Sequence, residues 1–238
     1  EINAANTNIL PVGDEVWALW EGGSPYRVGA DALETRGRPV FNGQFDGAPF
    51  SAHPKVEASG ESWNFGALGR RCVLWNLAPD GALIKARVIE LPEPSMMHSF
   101  AMTARHIVLL LPPMIAGQGA ASTLVDRFTW RPDMPLVALV FDKETFSLVR
   151  RHELPARFLF HVGNAWEDEQ GTIRLDAFLD HDATFAVQTS RDLAQARAMA
   201  APTARLNFIT LHADGRSEMN ALDGVGEFPR ANPRHTGF

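Results

Sequence analysis

Residues 158–178, FLFHVGNAWEDEQGTIRLDAF, decide how this chain is read. Strand-like runs at Arg157–Val162 and Thr172–Phe178 flank an acidic turn at Glu167–Gly171, so the stretch predicts a β-hairpin. The first run carries His161 among phenylalanines and leucines. A single histidine in such company is ordinarily a core residue satisfied by a neighbour. A functional reading requires further histidines in similar settings.

The hairpin design recurs along the chain. VLWNLAPDGALIKARVIEL (Val73–Leu91) alternates around Pro79-Asp80-Gly81, and LVALVFDKETFSLVRRHEL (Leu136–Leu154) around Asp142–Thr145. RLNFITLHADGRSEMNAL (Arg205–Leu222) does so around Ala213-Asp214-Gly215. Only Ser190–Met199 reads as a helix. Many short hairpins without βαβ alternation predict an all-β chain and leave sandwich, barrel or propeller open. The lack of a crisp repeat argues against a WD40-type array, and at roughly 40–45 residues per blade a propeller with diverged blades has room for about five.

The totals bound the function. With 238 residues, 45% hydrophobic and including 15 Phe and 6 Trp, the chain can bury the core of one large domain or two small ones. Net charge is −6 and no Lys/Arg-rich block occurs, so a nucleic-acid footprint is not expected. Cys72 is the only cysteine, which predicts a reducing, cytoplasmic setting and a small core residue rather than a nucleophile. The longest apolar run, Ile107–Gly117, is too short for a bilayer span and is broken by Pro112 and Pro113. The apolar loop Pro112–Ala121 is the expected point of any peripheral membrane contact. Since residue 1 is Glu and no signal peptide is visible, the chain is expected to begin inside a longer protein.

Three of the eight histidines stand at the ends of strand-like runs beside small or aromatic residues: His53 in FSAHPKVE, His98 in PSMMHSFAMT and His161. Their separations are roughly a blade and a blade and a half, so strands lining a propeller channel would each deliver one imidazole to its axis. Neutral imidazoles suit Zn, Cu, Fe or Ni. By spacing alone this is weak, because HExxH, CxxC and His-x-His are all absent. His152 and His212 read as exposed polar residues, and His106, His181 and His235 have no special context. GxSxG is absent too, and Gly117-Gln118-Gly119 follows no βα pattern, so neither a nucleophile elbow nor a nucleotide loop is supported.

ALWEGGSPYRVGADALETRG (Ala18–Gly37), FSAHPKVEASGE (Phe50–Glu61), MMHSFAMTARHIVLL (Met96–Leu110), residues 158–178 and GEFPRANPRHTGF (Gly226–Phe238) together resemble the carotenoid cleavage oxygenase family, in that family's order and nearly end to end. The resemblance implies a seven-bladed β-propeller with a mononuclear non-haem Fe(II) on its axis. It carries His53, His98 and His161 over as metal ligands, and Glu21 and Glu227 as carboxylates that accept the other ring N–H of a ligand histidine. Glu227 is expected beside His161 and Glu21 beside His98. Such a carboxylate fixes the tautomer and makes the imidazole a better donor. No catalytic group beyond the metal ligands is implied.

The implied activity is dioxygen-dependent cleavage of a conjugated double bond in a carotenoid or apocarotenoid. Small lipophilic polyenes and O2 are the expected partners. Stilbene-type phenylpropanoids, or a scaffold role without catalysis, are the alternatives. Relatives that cleave phenolic stilbenes tend to carry Lys before the motif glutamate; Trp20 stands there, favouring an apolar substrate by stacking or serving simply in packing. The family's fourth histidine and third glutamate normally follow the EFPR motif at some distance. Residues 1–238 are therefore expected to be a partial propeller domain, inactive as written.

Overall fold

An aspartate closes each of the four hairpins that the sequence announces. Asp80 Oδ1 accepts the Ala82 N–H at 3.0 Å, and Asp142 Oδ1 accepts both the N–H and the hydroxyl of Thr145 at 2.7 Å. Asp168 and Asp214 do the same for the N–H groups of Thr172 (2.9 Å) and Arg216 (3.0 Å). The short carboxylate satisfies a backbone donor inside the turn, which is why these turns form at Asp.

The computed structural model describes residues 3–41, 43–117 and 125–232, and divides into two compact units, Glu1–Pro94 and Ser95–Phe238. In the first, β1 (Asn8–Val12), β2 (Glu15–Leu19), β3 (Tyr26–Gly29) and β4 (Thr35–Gly37) form one antiparallel sheet. β5 (Lys55–Val56), β6 (Ser62–Leu68), β7 (Arg71–Leu77) and β8 (Leu83–Glu90) form another. Its core is aromatic: Trp17, Phe41, Phe50 and Trp75 meet at centroid distances of 4.8–6.2 Å, and Trp75 is wholly buried with its indole N–H donated to the Pro49 carbonyl. Truncating a ring so placed costs about 3–5 kcal/mol.

The second unit begins with β9 (Phe100–Met102) and β10 (His106–Leu111). A two-stranded ribbon follows, β11 (Met114–Ala116) with β12 (Phe128–Trp130). β13 (Leu136–Asp142) and β14 (Leu148–Leu154) then complete a four-stranded sheet in the order β14-β13-β10-β9. The last sheet is β15 (Val162–Glu167), β16 (Ile173–Leu179), β17 (Arg205–Leu211) and β18 (Ser217–Val225), with α1 (Thr184–Ala194) between β16 and β17. β13 is buried on both faces, as its unbroken run LVALVF requires, while β14 alternates at the sheet edge.

Among the described residues there are four four-stranded sheets rather than the five blades that length suggested. The ribbon and α1 consume chain that the blade-length estimate assigned to strands. The helix starts six residues before the expected Ser190, because Ala186 and Val187 pack with Met114, Phe158 and Val125 in an apolar cluster. Polar spacing alone does not reveal such packing. It stops early because Ala196 adopts φ 52° and the Ala196 and Arg197 N–H groups turn back to Leu193 and Asp192. In the opening hairpin the first strand runs later than expected. Ala165, Trp166 and Glu167 pair with Leu175, Arg174 and Ile173, so His161 precedes the strand rather than lying inside it.

Two single-residue expectations divide. Cys72 is fully buried and its thiol is pushed up to about 12 by burial, as a core residue requires. His152 is not exposed: it is 1% accessible, opposite Ala138 on the inward face of β14, with Nδ1 3.2 Å from the Gly215 carbonyl. The hairpin tip that carries Gly215 covers it, a contact between residues too distant in sequence to be read there.

Burial holds the His152 imidazole below its ordinary value, and Arg150 pushes the same way. The unfolded chain takes up this proton near pH 6.5 and the folded one only at lower pH. The associated stability is therefore present above about pH 6.5 and lost as pH falls from there through the folded value. The expected outcome is that the melting temperature drops less between pH 7.5 and 5.5 in His152→Gln than in the parent. Equal slopes would show that His152 is not held neutral.

Candidate metal centre

In the first unit the chain leaves β2 at Leu19, and Trp20 makes a β-bridge with Phe50. Glu21 follows in a turn stitched by the Phe50 N–H to the Gly23 carbonyl at 3.1 Å. The Trp20 ring folds onto Gly22, where an added Cβ would lie 2.5 Å from it, so the turn needs glycine for close approach. Beyond Phe50, Ser51 and Ala52 are buried and held from three sides. Ser51 N–H bonds the Phe65 carbonyl (2.7 Å), its carbonyl accepts from Asn64 (2.7 Å), and the Ala52 carbonyl accepts from Asn8 (2.8 Å). These bonds fix the backbone that presents His53. Its Nε2 lies 3.9 Å from Glu21 Oε1, so these two candidates are neighbours.

In the second unit His98 follows a bridged segment, with Ser95 paired to Ile115 and the Met96 N–H bonded to the Met114 carbonyl at 2.8 Å. His161 follows the Phe158–Asp180 bridge. The two imidazoles meet edge to face, centroids 4.8 Å apart at 79°, with Phe160 packed edge-on to His98 at 5.3 Å. Glu227 Oε2 lies 2.8 Å from His161 Nδ1. An ionised carboxylate can only accept, so Nδ1 carries a proton, and in the neutral ring this leaves the lone pair on the buried Nε2. That is the form in which imidazole binds Zn, Cu, Fe or Ni, and the donor set fits such an ion.

Glu227 reaches His161 because the chain after β18 docks on a bulge. The β15–β16 register shifts between Val162 and Ala165, and the loop returns through a bond from Gly226 N–H to the Ala204 carbonyl (3.1 Å). Gly163 sits at the bulge, where an added Cβ would be 2.0 Å from Asp176 Oδ2 and 3.0 Å from Pro229 Cβ. Nearby, burial raises the Asp180 carboxyl above its ordinary value, and the charge of Glu227 adds to the effect.

The structure also shows a pair that the sequence reading passed over. His106 Nδ1 is 2.6 Å from Glu167 Oε2, and Glu167 accepts from the Arg105 side chain and N–H at 2.9 and 2.8 Å. Burial raises the Glu167 carboxyl, but these bonds outweigh it and hold it below its ordinary value. Met114, placed by the sequence in a surface loop, is wholly buried; Pro112 and Pro113 are buried too, while Gln118–Ala121 and His235 lie outside the described residues.

Gly163→Ala is expected to force Asp176 and Pro229 apart and loosen the Glu227 loop. Overpacking of this kind costs about 1–3 kcal/mol. The urea midpoint should fall and proteolysis after residue 225 should speed up. An unchanged midpoint and cleavage rate would show that the bulge does not hold the loop.

Residues 1–238 match the family described as Retinal pigment epithelial membrane protein. The apocarotenoid-15,15'-oxygenase of Synechocystis sp. is 30% identical over 195 residues, covering 74% of this chain and 38% of that protein. Lignostilbene dioxygenase of Pseudomonas brassicacearum is similar in structure, with a TM-score of 0.79 and 27% identity over 99% of this chain and 51% of that one. A cobalt-substituted apocarotenoid oxygenase of Synechocystis matches with a TM-score of 0.79 and 25% identity, covering 99% and 52% of the two chains. The chain thus spans about half the length of these solved relatives and less of the curated one. Its four-stranded antiparallel sheets are blades of the seven-bladed β-propeller those structures share. With every residue inside one family match, the chain belongs to the retinal pigment epithelial membrane protein family, that of the carotenoid cleavage oxygenases.

Proposed function

We propose that these residues are the metal-bearing part of a non-haem Fe(II) dioxygenase that cleaves a conjugated C=C bond of a carotenoid or apocarotenoid. His53, His98 and His161 are its iron ligands within residues 1–238. The observation that carries the reading is the bond from His161 to Glu227 with His98 packed on the same imidazole. Bound iron supplies the activation of O2, whose two oxygen atoms end in the two carbonyl products. Histidine ligands leave the charge of the ion uncancelled, which that chemistry requires.

The chain's own residues do the rest. Glu227 holds His161 in one tautomer and orientation, and Glu21 is assigned the same role towards another ligand histidine, His98. Phe160, edge-on to His98 and packed in one apolar cluster with Met96, Phe128, Trp130 and Phe158, is assigned to the wall that would hold a lipophilic polyene. Trp20, half-buried over its glycine, is assigned to substrate contact. No helix among the described residues is long and apolar enough to cross a membrane. Among the described residues, contact with a lipid surface through 112–121 would fall to 115–117, since Met114 is buried.

The test uses the full-length gene product, loaded with Fe(II) without oxygen and then given O2 with apocarotenoid or stilbene substrates. The expected products are aldehydes from the apocarotenoid, and His98→Ala and His161→Ala should each lose bound iron and activity. Glu227→Gln should weaken metal binding about 10–100-fold. Cleavage of stilbenes alone would reassign the substrate. A parent that binds no iron would leave a scaffold.

A further inference from the structure

Phe228 is disfavoured on three counts. It adopts φ 54°, a left-handed conformation that is an outlier for a bulky side chain. It precedes Pro229, and a residue before proline is pushed towards extended φ. The residue is 59% exposed, so core burial does not compensate. Strain of this kind persists where the surroundings over-determine it, commonly at functional sites.

Two contacts account for the conformation. The ring stacks on His161, centroids 4.0 Å apart at 29°. The Phe228 N–H donates to Glu227 Oε2 at 2.9 Å, the same oxygen that accepts from His161 Nδ1 at 2.8 Å. The left-handed turn thus folds the N–H back onto the preceding side chain and the ring forward over the imidazole. One residue fixes the carboxylate that sets the His161 tautomer, and also blocks rotation of the ring that the carboxylate holds.

We infer that Phe228 is a positioning residue for metal binding, clamping His161 through its stacked ring and Glu227 through its backbone. The inference rests on the proposed role of His161 as a ligand. It does not require Phe228 to touch substrate or metal.

Apo full-length protein is titrated with Co(II) against a chromophoric chelator, and the Co(II) d–d spectrum and apo melting temperature are recorded. Phe228→Ala is expected to weaken Co(II) binding about tenfold, at the low end of what loss of a ligand-supporting group causes. Its d–d bands should shift, and Phe228→Tyr should restore both affinity and spectrum. A merely structural role would lower the apo melting temperature and leave the spectrum of bound Co(II) unchanged. Parental affinity and spectrum in Phe228→Ala overturn the inference. Should that variant not fold, Phe228→Leu keeps apolar bulk without a planar face: weaker binding supports the clamp and parental binding overturns it. His161→Ala separates the two readings. If it binds Co(II) like the parent, the ligand assignment fails and takes the clamp with it; if only Phe228→Ala is silent, the clamp alone fails.

Discussion

The hydrogen bond between His161 and Glu227 is the constraint on which the candidate site of the second unit depends. A largely buried carboxylate is costly unless bonded, and a neutral imidazole has two tautomers of which only one presents Nε2 as a donor. The bond resolves both at once. It joins residues 66 apart in sequence, so it exists only after β15–β18 have paired and the loop beyond β18 has turned back. The blade is therefore more than a scaffold for His161. Its closure determines the imidazole's chemical form.

That dependence explains features that look unrelated in the sequence. The bulge at Val162–Ala165 makes space that the EFPR loop fills, and Gly163 keeps a side chain out of it. The Gly226 N–H anchors the loop to Ala204 just ahead of Glu227. In the first unit His53 is presented on a different principle. Asn8, Asn64 and the Phe65 carbonyl hold the backbone before it, all partners supplied by strands of that unit. A ligand candidate can thus be oriented through its ring or through its backbone.

What could be read from sequence was local, and what could not was carried by long-range packing. The four hairpins were legible because each is closed by an aspartate within a few residues of the donor it satisfies. The boundaries of α1 were not, because Ala186 and Val187 are recruited by an apolar cluster drawn from 114–158. His152 read as exposed because the cover over it comes from Gly215. Glu227 and Glu21 are singled out only by resemblance to a family; read in isolation, Glu21 is a turn carboxylate. His106 had no sequence context at all, since Glu167 stands 61 residues away.

The second unit contains two histidine–carboxylate pairs, and charge separates them. Glu167, beside His106, also takes the Arg105 guanidinium at 2.9 Å, and Arg150 adds a further cation coupled to it. With its charge already matched, that pair presents a poor field to a metal ion and serves to tie β10 to β15. Glu227 instead accepts from an imidazole and a backbone N–H, and its charge adds to the burial that raises the neighbouring Asp180. A carboxylate that orients an imidazole from behind is the arrangement a divalent cation selects. The same residue types at the same contact distance therefore make a structural strut in one place and a candidate metal centre in the other.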